Sequence, residues 1–160
     1  MKTNAARILE NFGIAFTLQE YEVDPDDLSA ISVARKIGLP IEQVFKTLLT
    51  TTGRDQHVFA VIPGDAELDF KKLGRVAGAR KAEMVSLKDV QPLTGYIRGG
   101  VTVFGAKKDF PVFADETIEL FDVISVSAGQ RGTQILLAPR DYLRAANATI
   151  ADLTKDPVRA

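Results

Sequence analysis

The chain has 160 residues, 46% hydrophobic and 26% charged, with a net charge of −1, enough apolar material for one packed soluble domain. It has no cysteine and a single histidine, His57. That excludes disulfides, a thiolate nucleophile, cysteine-type zinc sites and two-histidine metal sites, and disfavours a serine–histidine relay. The longest apolar runs, such as His57–Pro63, are too short to cross a bilayer, and the start, Met1-Lys2-Thr3-Asn4, leads into an amphipathic segment without a signal-peptide core, so a cytoplasmic protein is expected.

In chain order, Ala5, Ile8, Leu9 and Phe12 fall on one helical face, and Gly13 supplies a stop. Phe16 and Leu18 alternate with Thr17 and Gln19 as a strand ending near Tyr21, and Asp24-Pro25-Asp26-Asp27 must be a loop. Ser32 is the predicted cap of a short helix through Ile37, ended by Gly38, with one more helical turn after Pro40. Phe45–Thr51 and His57–Ile62, joined by Gly53-Arg54-Asp55, form the clearest hairpin, in which His57 is an ordinary strand residue. Asp69 heads a basic helix to about Ala77, Lys81–Val85 reads as a strand, and Ser86-Leu87-Lys88-Asp89 has capping-box spacing before another helix. After the glycine-rich stretch 95–105, Phe110–Ala114, Asp122–Ser127 and Gln134–Ala138 read as strands, and Pro139 opens a last helix through Ala146. These elements predict an α+β fold: one domain over residues 1–153, with a mixed, mostly antiparallel, partly barrel-like sheet, surrounding helices and a loose tail over 154–160.

Three features carry chemistry. Period two places Lys46 on the strand face of Val44 and Leu48. A lysine there either guards an edge strand or meets an anionic ligand. The loops Gly95–Gly105 and Ser127–Gly132 are rich in glycine, which lets backbone N–H groups approach a ligand. The near-zero net charge also hides a basic stretch holding Lys71, Lys72 and Arg75, followed later by Lys107. It is either a solvated helix face or a surface for a phosphate backbone.

Val44-Phe45-Lys46-Thr47-Leu48-Leu49, Leu68-Asp69-Phe70-Lys71-Lys72, Gly95-Tyr96-Ile97-Arg98-Gly99-Gly100 and Ser127-Ala128-Gly129-Gln130-Arg131-Gly132 stand in the order of the YbaK family. The chain resembles that family, itself similar to the editing domain of bacterial prolyl-tRNA synthetases, from its first helix to about Ala146. The resemblance implies clearance of mischarged tRNA, typically Cys-tRNA(Pro), on free tRNA or beside prolyl-tRNA synthetase, without metal or organic cofactor. It implies that Lys46 holds the aminoacylated 3′ end, that Tyr21 lines the pocket, that Gly99 lies near the substrate carbonyl and that Ser127 serves from the last loop. Thr47, Gly100, Gly129 and Gln134 complete the expected substrate-binding set. The resemblance further implies that the cysteine substrate's own thiol attacks the ester and leaves as a thiolactone. Two positions depart from the family pattern: Val103 replaces a proline and Gln134 an aspartate. Removal of alanine or serine by water, or a non-catalytic module binding tRNA or a synthetase, are the alternatives.

Overall fold

The computed structural model describes residues 3–156. Helix α1 (Asn4–Asn11) starts at Thr3, whose Oγ1 accepts from Ala6 N–H at 3.2 Å, and buries Ala5, Ala6 and Leu9. Strand β1 (Phe16–Glu20) follows. Helix α2 (Ala30–Ile37) is capped by Ser29, not Ser32: the Ser32 N–H donates to Ser29 Oγ at 3.2 Å. The two serines are three residues apart, and the one in extended backbone takes the capping role. Gly38 ends α2 with φ 74°, as expected, and a 3₁₀ turn (Ile41–Gln43) follows Pro40.

The hairpin is β2 (Phe45–Gly53) with β3 (Gln56–Pro63), bulged between Thr51 and Gly53. Helix α3 (Phe70–Val76) is capped by Asp69, which accepts from Lys71 and Lys72 N–H. The predicted strand over 81–85 shrinks to β4 (Glu83–Met84). Helix α4 (Leu87–Thr94) begins at Ser86, whose side chain makes no capping bond, so the capping box does not form. Strand β5 (Val112–Asp115), a 3₁₀ turn (Glu116–Leu120), β6 (Ile124–Ser127), β7 (Thr133–Leu137) and α5 (Pro139–Ala146) follow. A last strand, β8 (Thr149–Ala151), escapes the sequence pattern because three residues are too few to show alternation.

The strands form two open sheets and do not close into a barrel, in the orders β1-β7-β6 and β4-β2-β3-β5-β8. The first is antiparallel; in the second, β3–β5 and β5–β8 run parallel. A bridge between Val44 and Ser125 joins them. The main core lies between the sheets, where Phe45, Leu49, Phe59, Val61, Ile124, Val126, Ile135 and Leu137 meet α1 and Tyr142 of α5. On its other side β3 places Val58, Ala60 and Ile62 against Leu68, Leu73 and Leu153. Burial on both faces explains the unbroken apolar run of β3.

The segment after Leu153, expected to be loose, is anchored as far as Lys155. Thr154 bridges Leu68, Lys155 N–H donates to Glu67 O, and Lys72 Nζ donates to Thr154 O at 2.7 Å. Residues 157–160 lie outside the described residues. Among those described, no helix is long and apolar enough to cross a membrane.

Candidate active site

Strand β4 pairs with β2 only at Thr50 and Thr51, so the β2 edge from Phe45 to Leu48 stays open on that side. A cavity of about 770 Å³ lies along this edge, closed by α2, by the 64–67 turn, by Met84 and Val85, by the glycine loop at Arg98–Val101, and by Ser127 and Gln134 of the three-stranded sheet. Its volume suits a drug-sized or nucleoside-sized ligand.

Lys46 enters the cavity half-buried, and its Nζ donates to Gly64 O at 3.3 Å. Burial lowers its pKa below the ordinary lysine value, while the exposed carboxylates of Asp65 and Glu67 pull the other way. Gly64 also lets α2 approach. A Cβ there would lie 2.6 Å from Ala30 Cβ, 2.7 Å from Ile41 Cδ1 and 2.9 Å from Val44 O. Gly64→Ala should therefore destabilise the fold by about 1–3 kcal/mol through overpacking. A urea-midpoint measurement with unchanged m-value checks this; an unmoved midpoint would show that α2 yields freely.

Among the expected site residues, Lys46, Thr47, Gly99, Ser127 and Gln134 converge on the cavity. Ser127 stands opposite Gln134 in the β6–β7 register and both line the cavity; Ser125 shares their face but is fully buried and outside the lining, while Ile124, Val126, Ile135 and Leu137 turn toward the core. Ser127 Oγ accepts from Gly129 N–H at 3.1 Å, leaving its own proton for another acceptor. Gly99, with φ 87°, lines the cavity, and its N–H meets no acceptor among the described residues.

Tyr21, Gly100 and Gly129 are not in the lining. Tyr21 packs with Val33, Ala34 and Val44 at the base of α2. Gly100 is buried against Gln130, its would-be Cβ 3.1 Å from that backbone, and its N–H donates to Ile97 O. Gly129's N–H is committed to Ser127. The packing of Gly100 on Gln130 and the Arg131 Nε bond to Arg98 O at 2.8 Å clamp the two glycine loops into one unit that presents Gly99. Val103 packs on the main core, away from the cavity.

Residues 24–145 match the model of the aminoacyl-tRNA editing domain. The chain belongs to that family. It is 44% identical over 153 residues, 96% of this chain and 93% of the relative, to the Enterococcus faecalis protein named "Putative Cys-tRNA(Pro)/Cys-tRNA(Cys) deacylase EbsC". It is 30% identical to the Escherichia coli (strain K12) "Multifunctional Ser/Thr-tRNA deacylase ProXp-y", covering 64% of this chain and 62% of that one. A solved structure named "Crystal structure of a putative trans-editing enzyme for prolyl tRNA synthetase" superposes with a TM-score of 0.83 at 23% identity, over 98% of this chain and 99% of that one. This likeness places the editing-domain fold on the two-sheet architecture described above.

The basic residues are dispersed on this editing domain. Lys71 and Arg75 are exposed one helical turn apart on α3. Lys72 is instead held by Asp152 at 2.9 Å and by Thr154 O, which ties α3 to the chain after β8. Lys107 is exposed, its stem against Gly95 and its Nζ 3.5 Å from Pro92 O. Sequence reasoning missed Arg98, an exposed cation on the cavity rim, although it stands inside the Gly95–Gly100 motif. It also missed the exposed apolar rim of Ile31, Met84 and Leu87, whose only signal is apolar side chains left over from amphipathic faces. Among the described residues no cluster of three metal-ligating side chains occurs.

Proposed function

We propose that this chain is a trans-editing deacylase that cleaves the ester of mischarged aminoacyl-tRNA, with Cys-tRNA(Pro) as its principal substrate, in the cytoplasm, on free tRNA or beside prolyl-tRNA synthetase. The observation that carries this is the half-buried Lys46 in a nucleoside-sized cavity that also holds the uncommitted Gly99 N–H and the Ser127 hydroxyl. Such a set stabilises negative charge developing on a carbonyl oxygen. The names of the relatives, which specify Cys-tRNA and Ser/Thr-tRNA deacylases, support the same substrate class.

The cavity lining includes no cysteine or histidine to act as nucleophile or base. Substrate assistance fills that role. The thiolate of the bound cysteine attacks the ester carbonyl carbon, and Lys46 and the neighbouring donors hold the oxygen as it becomes negative. The bond to the ribose oxygen then breaks, that oxygen takes a proton, and a thiolactone leaves. Incubation with a panel of tRNAs mischarged with cysteine, alanine, serine and threonine tests the reading. Clearance of at least the cysteinyl ester is expected; binding of every member without cleavage would make the domain a non-catalytic tRNA module.

The RNA body would meet Arg98 at the rim, with Lys71, Arg75 and Lys107 as outer phosphate contacts. Filter binding should weaken steeply with salt, and each charge reversal, Lys71→Glu, Arg75→Glu or Arg98→Glu, should reduce the log–log salt slope by about 1 where a phosphate contact is lost. An unchanged slope for a given variant removes that residue from the RNA surface. Lys72→Glu is a poor probe, because it would break the Asp152 pair.

A further inference from the structure

Gln134 is 5% exposed, and Ser125, beside it, is fully buried. Ser125 Oγ donates to Gln134 Oε1 at 2.8 Å. No other acceptor takes the Ser125 proton, so this bond fixes which way the carboxamide points. The Oε1 side is committed to the sheet. The Nε2 side meets no acceptor among the described residues, yet it is not sealed in, and Gln134 lines the cavity. A buried, oriented NH₂ group therefore faces the ligand space and offers donors only.

We propose that Gln134, anchored by Ser125, reads the side chain of the amino acid carried on the tRNA, donating from Nε2 to a hydroxyl oxygen or thiol sulfur. This rests on the deacylase reading above. Gln134 is the most buried of the polar side chains lining the cavity; Lys46, Thr47 and Ser127 are all more exposed. The ester carbonyl is tethered to a ribose and a polynucleotide that must stay toward the open side. The far end of the amino acid's side chain is the part that can reach deepest. An α-ammonium, itself only a donor, gains nothing from an amide NH₂, whereas an oxygen or sulfur with lone pairs does. A site built to hydrogen-bond a substrate heteroatom leaves its own buried group unpaired when an apolar side chain binds, and so discriminates strongly.

The test compares wild type with Gln134→Met, which keeps the volume and removes the donor, on cysteinyl-, seryl- and alanyl-tRNA. The Ser/Ala and Cys/Ala ratios of kcat/KM should each fall about tenfold or more. A uniform fall that leaves both ratios intact would put the amide on the ester group and overturn the proposal, as would no change. In parallel, non-cleavable seryl- and alanyl-amide analogues of the terminal adenosine are titrated into both proteins. Wild type should favour the seryl analogue and Gln134→Met should lose that preference; equal binding by wild type overturns the proposal. If wild type cleaves no ester but keeps the analogue preference, the deacylase reading fails and the side-chain reading stands. If Gln134→Met does not fold, Ser125→Ala, which frees the amide to turn, should lower the same ratios, and unchanged ratios there overturn the proposal.

Discussion

Lys46→Ala is expected to lower the single-turnover deacylation rate by about 10²–10³-fold, the usual cost of removing one preorganised charge-stabilising donor, while the protein stays folded. The fold tolerates the change because of the surroundings of Lys46. Its cation hydrogen-bonds one carbonyl, and the nearby carboxylates of Asp65 and Glu67 are exposed, so its removal strands no buried charge. Burial disfavours the ammonium, so its folded pKa lies below its unfolded pKa. Native stability then rises with pH through the window between the two values, and below that window the charged lysine carries a penalty. Lys46→Met should therefore unfold at the same urea concentration as wild type at neutral pH, or at a higher one. Wild-type activity should fall at alkaline pH earlier than an ordinary lysine would dictate. Deacylation by Lys46→Ala at the wild-type rate would remove this residue from the site.

The thiol route predicts a second large effect. Cysteinyl-tRNA should be cleared at least about 10²-fold faster than alanyl-tRNA, because a thiol has an appreciable thiolate fraction near neutral pH and alanine has no side-chain nucleophile. Seryl-tRNA should be slow as well, since a hydroxyl is the poorer nucleophile. The product should be a thiolactone, trapped by an added amine before water opens it. Equal rates on cysteinyl- and alanyl-tRNA with no thiolactone would assign the reaction to an activated water. The donors in the cavity would then serve that water's attack.

Local chemistry made much of this legible in the sequence. The β2–β3 hairpin follows from two apolar runs around a glycine turn, and the misplaced cation on β2 marks Lys46 before any contact is seen. Gly38 and Pro139 act as their backbone preferences require. What stayed hidden depends on residues far apart in the chain. The parallel pairing of β3 with β5 and of β5 with β8 leaves no short-range signature. The engagement of Lys72 joins positions 80 residues apart, so a lysine that reads as solvent-facing on α3 turns out to be a fastener. The glycine loops show the same limit at closer range. Their composition points to ligand-facing amides, yet Gly100 and Gly129 spend their N–H groups on bonds within their own loops, and of the glycines in the two loops only Gly99 reaches the cavity. The polar face of Ser125, Ser127 and Gln134, whose last two members line the cavity, follows from alternation along β6 and β7 once β7 is paired with both neighbours.

Editing is read most directly from the time course of ester cleavage when the wild-type chain is mixed in excess with Cys-tRNA(Pro) and, separately, with correctly charged Pro-tRNA(Pro). A trans-editing deacylase clears the cysteinyl ester far above its spontaneous rate and spares the prolyl ester. Cysteinyl-tRNA decaying at the spontaneous rate, or both esters cleaved alike, would show that the chain is not a trans-editing deacylase.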